Sequence, residues 1–231
     1  TTSTYDEALE RFHRTGPEFN GWLSNHGPMV IEVLARRGES ARIHSWTDRY
    51  LRRLDERPRG RWPIAESDWR DVLGDASRTG DWLDFVLAQV QAAPWREVLA
   101  HWWPRLLPGI AAGATHGVIR TGHAVQALAE LETSARLDEL AHALGYWAAR
   151  WQPVPLVRAA GTTAPADLIP SLPRVARQTS GIRSRLAQLA DVPDWPDRAG
   201  AVAAAPDAGT GLARIRDAVV ARYPEYAYGA P

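Results

Sequence analysis

The spacing of hydrophobic residues along the chain predicts helices throughout. The clearest amphipathic stripe repeats at steps of 3, 4, 3 and 4 and consists of Leu137, Leu140, Leu144, Trp147 and Trp151. These steps place the side chains on one face of a helix. No stretch alternates apolar and polar residues as a half-buried strand does. We therefore expect an all-α fold, an irregular multi-helix bundle around a buried cavity, with no significant sheet.

Proline, glycine and capping residues mark the ends of the predicted helices. The predicted ranges are 5–15, 28–37, 40–54, 67–73, 81–91, 94–103, 108–128, 137–151, 182–189 and 212–223. Pro104 is expected to stop the helix before it, because proline lacks the backbone N–H that a helix interior uses. From Gln152 onward, proline and small residues become frequent. The sequence therefore predicts a helical domain over residues 1–152 and, over residues 153–231, a Pro- and Ala-rich connection with further helices that pack on the same domain.

The glycine-rich helix predicted over residues 108–128 carries three basic side chains on one stripe. His116, Arg120 and His123 stand at positions i, i+4 and i+7. Three glycines lie in the same stretch, namely Gly113, Gly117 and Gly122. Because each costs about 1 kcal/mol relative to alanine inside a helix, we expect close approach of a neighbouring element, with space beside the imidazole of His116.

A second histidine, His26, lies just before the helix that Pro28 starts. The positive end of that helix dipole favours the neutral imidazole, which is the form that binds metal. A site built from His26 and His116, with His123 as a further member, suits iron, zinc or copper. The structural alternative is a tightly packed helix whose histidines hydrogen-bond to neighbouring backbone.

The remaining polar residues also have functional and structural interpretations. Arg120, one turn after His116, suits a clamp for an oxyanion or carboxylate, and equally a buried donor to a loop carbonyl. His13 and His142 are expected at the surface. Pairs of acidic residues are expected to be solvated. These pairs are Asp6-Glu7, Asp55-Glu56 and Asp138-Glu139.

Composition excludes several classes of chemistry. The net charge is zero, so no overall field attracts nucleic acid. All 27 basic residues other than histidine are arginine and there is no cysteine, which excludes lysine Schiff bases, thiolate metal ligands and disulfides within this chain. No dinucleotide fingerprint is present, so no flavin domain is expected. Without a membrane-spanning run or a signal peptide, we expect a cytoplasmic protein that does not bind membranes.

Four segments together resemble the questin oxidase-like family. They are residues 23–29 (LSNHGPM), 94–96 (PWR) with 102–109 (WWPRLLPG), 115–123 (THGVIRTGH) and 144–151 (LGYWAARW), within a similarity that runs from about Tyr5 to Pro155. The resemblance implies an oxidoreductase that acts on aromatic polyketides. Fungal relatives open the quinone ring of anthraquinones by inserting oxygen, as in a Baeyer–Villiger oxidation, without a flavin domain.

The resemblance also implies a metal set. At least one branch of the family holds non-heme iron through several histidines and a modified lysine. His26 and His116 are the matching histidines in this chain. His123 stands where fungal members tend to have tyrosine, and Arg120 where they tend to have another histidine. Family members continue past the position of Pro231 into a His-rich motif that contains lysine.

This chain lacks that motif and has no lysine. Either the chain is a fragment or its metal set is incomplete. We expect a fragment, an interpretation supported by the run Tyr226–Pro231, which has no features of a terminal helix.

The first functional hypothesis is an oxygenase of an aromatic polyketide or quinone that uses O2 and non-heme iron, with NADPH as a candidate reductant. His26 and His116 would bind the metal, His123 would be a ligand or proton carrier, and Arg120 would orient a phenolate or carboxylate. One alternative is a non-catalytic helical module that sequesters a flat aromatic ligand with its tryptophans. Another is a cofactor-independent oxygenase with a histidine as base.

Overall fold

The computed structural model describes residues 3–179 and 181–226, and it confirms the all-α class. Helices account for 61% of the structure. The helices are α1 Thr4–Phe12, α2 Gly27–Arg36, α3 Ile43–Leu51, α4 Thr79–Ala92, α5 Trp95–Leu106, α6 His116–Glu130, α7 Ser134–Ala149, α8 Pro165–Ser171, α9 Ile182–Ala187, α10 Trp195–Gly200 and α11 Ala208–Tyr226. A short antiparallel hairpin joins β1 Glu18–Phe19 to β2 Leu23–Ser24. Of the described helices, none has the length and apolar character needed to cross a bilayer.

The chain divides into two compact units, Thr1–Pro153 and Val154–Pro231. The division lies one residue from the predicted boundary between residues 152 and 153. In the second unit, short parallel bridges pair Gly161 with Ala203 and Thr163 with Val202, and α8 packs on α11. The packing of the 153–231 segment on the first domain stays a prediction. The chain end, for which the sequence suggested a fragment, includes residues 227–231, which lie outside the described residues.

Helix α7 is the central element of the first unit. Helices α1, α4, α5 and α6 pack against it, and nearly every residue from Glu139 to Ala149 is buried. The expectation of one apolar face and one solvent face was therefore wrong for this helix. His142, expected at the surface, is only 3% exposed. Alanines and a glycine between the large side chains let neighbouring helices approach α7 on several sides.

Tryptophans form the core beside α7. Three of them, Trp82, Trp102 and Trp147, are fully buried. Each indole N–H donates a hydrogen bond, to Val72 O at 3.1 Å, Gln89 Oε1 at 2.5 Å and Gly109 O at 3.0 Å respectively. A buried indole N–H usually finds an acceptor, because leaving it unpaired costs free energy. These partners explain how the large aromatic content is accommodated in the core.

Several predicted helices differ from the observed ones, and α8 and α10 were not predicted. Residues 67–73 form consecutive turns rather than a helix. Helix α5 continues through Pro104 to Leu106, because the buried side chains of Trp102 and Leu106 hold the last turn in the core despite the missing N–H. Helix α6 begins at His116 rather than at Pro108.

The late start of α6 comes from left-handed backbone. Gly113, Ala114 and Thr115 have φ values of 52°, 54° and 70°. A right-handed helix cannot run through such residues. Gly113 is needed because a Cβ there would overlap the Tyr146 hydroxyl. His116 is thus the first residue of α6. Gly113 lies before the helix, whereas the sequence predicted it inside the helix, where it would leave space beside the His116 imidazole.

The other two glycines of this stretch have different environments. At Gly117, a Cβ would lie 2.8 Å from Trp147 Cβ, so this glycine permits the close approach of α6 and α7. At Gly122, a Cβ would meet nothing within 4 Å. Close approach of a neighbouring element was therefore correctly expected at Gly117 and wrongly expected at Gly122.

Candidate functional site

The structure brings His26 and His116 together. His26 is the N-cap residue of α2, and His116 is the first residue of α6. Their Nε2 atoms are 2.9 Å apart. The ring centroids are 4.8 Å apart and the ring planes are nearly perpendicular, at 85°. Two imidazoles separated by 90 residues thus point their outer nitrogens at one position.

Hydrogen bonds fix the loop that carries His26. The Asn25 side chain accepts from the backbone N–H of Gly27 at 2.9 Å and donates to Gly16 O at 3.0 Å. The backbone N–H of His26 donates to the Tyr50 hydroxyl at 2.9 Å. The sequence favours this conformation, because an Asn side chain that accepts from the backbone two residues on forms an Asx turn, and Pro28 suits the first turn of a helix.

The left-handed turn before α6 holds His116. The turn places Gly113 O 2.6 Å from Nδ1 of the imidazole. A carbonyl oxygen can only accept, so Nδ1 carries the proton and, in the neutral ring, Nε2 has the lone pair. A backbone carbonyl on the inner ring nitrogen is the usual support for a metal-binding histidine.

The electrostatics of the pair favour a neutral His26. Burial lowers the pKa of His26, the neighbouring His116 lowers it further, and an interaction with the Ser24 backbone partly opposes them. Two nitrogens at 2.9 Å are within hydrogen-bond distance, so a neutral His26 with its proton on Nε2 can donate to the Nε2 lone pair of His116. When both rings present a lone pair, a metal ion between them satisfies both.

The spacing of the pair suits two neighbouring positions on one metal ion. Metal–imidazole bonds are about 2.1 Å long, and two of them at about 90° separate their nitrogens by about 3 Å. The observed 2.9 Å matches that value. Within residues 3–179 and 181–226, no group of three or more histidines, aspartates or glutamates is arranged to hold a metal. The donor set therefore fits two ligands, and a third protein ligand is absent from the described part of the chain.

His123 does not join this pair in a three-ligand cluster. Its Nδ1 lies 2.6 Å from Oε2 of Glu32 on α2, and Glu32 is buried and also accepts from Arg36 at 3.0 Å. His116 and His123 therefore both lie on the side of α6 that faces α2, about two helical turns apart. His116 contacts His26 at the start of α2, and His123 contacts the Glu32 carboxylate further along α2.

Arg120 is buried and bound to an acid. Its Nε and Nη2 donate to Glu139 at 2.6 and 2.8 Å, and His13 Nε2 lies 3.0 Å from the same carboxylate. Burial acts to raise the pKa of Glu139, but the charge and hydrogen bonds of Arg120 outweigh it and the pKa is lowered. The surface positions expected for Glu139 and His13 were therefore wrong. Arg120 Nη1 is buried and has no hydrogen-bond partner among the described residues.

The solvated position expected for Asp6 was also wrong. Asp6 is buried and accepts a hydrogen bond from Arg136 Nε at 2.9 Å. A buried carboxylate is stable in this position because its charge is paired.

The sequence did not predict the hydrogen-bonded group formed by Ser24, Tyr146 and Glu18. The Tyr146 hydroxyl on α7 is 2.8 Å from Ser24 Oγ and donates to Glu18 Oε1 at 3.0 Å. Arg150 pairs with the other oxygen of Glu18. Ser24 and Tyr146 belong to two of the four distinctive segments, but a contact across 122 residues has no local sequence signal.

The pair lies at the surface of the first unit. His26 is exposed and His116 is half-buried. Trp22, at the tip of the hairpin before His26, is 74% exposed. The expectation that a buried cavity encloses these histidines was wrong for His26, because the exposed hairpin leads directly into the start of α2.

Comparison with known proteins assigns the chain to a family. A family model described as questin oxidase-like matches residues 37–153. This range contains His116, Arg120 and His123, whereas His26 precedes it. Comparisons with curated proteins and with solved structures give no match. Because the family model covers more than half of the 231 residues, this chain belongs to the questin oxidase-like family.

Proposed function

We propose that this protein oxygenates an aromatic polyketide or quinone and uses iron held in part by His26 and His116. Family membership supports an oxidoreductase that acts on a small aromatic molecule. The observation that supports the site is the 2.9 Å approach of two Nε2 atoms, one of them on a ring oriented by a backbone carbonyl.

The described residues supply the orientation and the protonation state of this site. Bound iron would supply the redox chemistry that the activation of O2 requires. His26 contributes a ring whose lowered pKa keeps it neutral near pH 7. His116 contributes Nε2, because Gly113 O holds the proton on Nδ1. Insertion of one oxygen atom from O2 leaves the second as water, so two electrons are needed, and we propose NADPH as their source.

His123 is proposed to hold or move a proton. Its Nδ1 faces the Glu32 carboxylate at 2.6 Å, which leaves Nε2 as the nitrogen that exchanges a proton with substrate or water. Its side chain is 24% exposed, so water reaches it. Glu32 would fix the orientation of the ring, as a carboxylate does beside a catalytic imidazole.

Arg120 is proposed to orient a phenolate or carboxylate of the substrate. Two of its nitrogens are held by Glu139, so Nη1 is the nitrogen left for that role. The guanidinium of Arg120 is buried between α6 and α7, and its two hydrogen bonds to Glu139 would fix its orientation.

Oxygen uptake tests the proposal. The purified chain, loaded anaerobically with Fe(II), is mixed with an anthraquinone, NADPH and O2, and uptake is followed with an electrode. We expect substrate-dependent uptake that is lost in His26→Ala and His116→Ala and kept in His44→Ala, which changes an exposed histidine on α3.

Three results would contradict the proposal. Anthraquinone quenching of tryptophan fluorescence without oxygen uptake would favour a binding module. Uptake that resists chelators and both substitutions would favour a cofactor-independent oxygenase. No uptake and no quenching would exclude this substrate class.

A further inference from the structure

One buried hydroxyl group lies against both segments that orient the imidazole pair. Tyr146 is on the central helix α7 and is only 1% exposed. Its hydroxyl donates to Glu18 Oε1 at 3.0 Å. Ser24 Oγ, 2.8 Å away, therefore donates to the phenolic oxygen. The order of donation is Ser24 to Tyr146 to Glu18, and Arg150 holds the other oxygen of Glu18.

The first segment leads to His26. Ser24 is the last residue of β2, two residues before the imidazole. Because only Asn25 separates Ser24 from His26, the position of Ser24 limits where the His26 ring lies. The Tyr146 hydroxyl, 2.8 Å from Ser24 Oγ, holds the Ser24 side chain.

The second segment leads to His116. Gly113 accepts the Nδ1 proton of His116 through its carbonyl at 2.6 Å. The Tyr146 hydroxyl lies so close to Gly113 that a Cβ would overlap it. The phenol therefore limits where this left-handed turn, and with it the carbonyl, can lie.

We infer that Tyr146 is a positioning residue that sets the separation and orientation of the His26 and His116 rings through Ser24 and Gly113. The part of this inference that concerns metal affinity rests on the proposed function. The positioning itself does not. Partners in this position orient metal-binding histidines, and their loss typically weakens metal affinity about 10- to 100-fold.

The decisive variant is Tyr146→Phe, which removes one oxygen and keeps the ring. Tyr5→Phe is the matched control, because Tyr5 is a buried tyrosine on α1. The first measurement is the chemical shift of the His26 and His116 ring protons at pH 7.5, by NMR. The second is Co(II) affinity at pH 7 by calorimetry. Ser24→Ala and Ser24→Thr provide a second pair, since threonine keeps the hydroxyl.

We expect Tyr146→Phe to shift the ring-proton resonances of His26 and His116 and to weaken Co(II) binding about 10- to 100-fold, with both unchanged in Tyr5→Phe. Ser24→Ala should shift the His26 resonances in the same direction, and Ser24→Thr should restore them. If Tyr146→Phe does not fold, the two Ser24 variants decide the matter. Ring-proton resonances unchanged in both Tyr146→Phe and Ser24→Ala would overturn the inference. Shifted resonances in a protein whose wild type binds no Co(II) would support the positioning and reject the metal role.

Discussion

Arg120 on α6 and Glu139 on α7 form a two-pronged ion pair, with N–O distances of 2.6 and 2.8 Å. Both side chains are almost completely buried. The pair connects the helix that carries His116 to the central helix of the first unit. A buried charge is tolerated only while its partner is present.

Removal of one member of this pair should be strongly destabilising. We expect Arg120→Met to lower the free energy of unfolding by about 3–5 kcal/mol, because the buried Glu139 carboxylate would lose both guanidinium hydrogen bonds and be left with the His13 imidazole at 3.0 Å. Urea denaturation at pH 7.5 measures the change. Arg11→Met is the control, since Arg11 pairs with Asp48 at an exposed site and its loss should change the free energy of unfolding far less. Equal losses in the two variants would show that Glu139 does not depend on Arg120.

Two glycines of α6 should respond in opposite directions to the same change. Gly117→Ala would place a Cβ 2.8 Å from Trp147 Cβ and should destabilise the protein by about 1–3 kcal/mol through overpacking. Gly122→Ala meets no neighbour within 4 Å and should stabilise it by up to about 1 kcal/mol through helix propensity. Thermal unfolding of both variants measures the difference. Stabilisation by Gly117→Ala would contradict the close approach of α6 and α7.

Buried His142 should make stability depend on pH. Burial lowers the pKa of His142 well below its usual range, and the charges of His13, Arg120 and Arg57 lower it further. An unfolded histidine titrates near pH 6.5, so below about pH 6.5 the unfolded chain binds more protons than the folded one. Stability is therefore complete above that pH and falls as the pH is lowered toward the folded-state pKa, by up to about 1.4 kcal/mol per pH unit.

Urea denaturation between pH 5 and pH 7.5 measures this dependence. His142→Leu should flatten it, whatever its effect on stability at pH 7.5. His44→Gln, at an exposed position on α3, should leave the slope unchanged. Equal slopes in the wild type and His142→Leu would assign the acid sensitivity to other groups.

Local sequence patterns were sufficient for the helical class and for α7, where the 3-4-3-4 stripe runs along the observed helix. The proximity of His26 and His116 was a hypothesis suggested by a capped loop, a glycine-rich segment and the family resemblance, and the structure places the two rings together. The environments of Glu139 and His142 could not be predicted in this way. His13 reaches Glu139 across 126 residues, so their burial depends on which helices pack together. A polar residue off the main stripe normally indicates solvent, but α7 is enclosed on several sides.

The start of α6 shows a second limit of the sequence. Glycine and proline spacing favoured a helix from Pro108, whereas Ala114 and Thr115 adopt left-handed backbone that only glycine and asparagine commonly take. The contact between Gly113 and Tyr146 that accompanies this turn is tertiary. The interior position expected for His116 was wrong for that reason, and the carbonyl that orients its ring was not predicted.

The central claim is that His26 and His116 bind one metal ion together. Iron bound per chain, measured after anaerobic loading with Fe(II) and gel filtration, tests it most directly in the wild type, His26→Ala, His116→Ala and the control His101→Ala. We predict bound iron in the wild type and in His101→Ala, and its loss in both site variants. Iron retained equally by all four proteins, or bound by none of them, would contradict the claim.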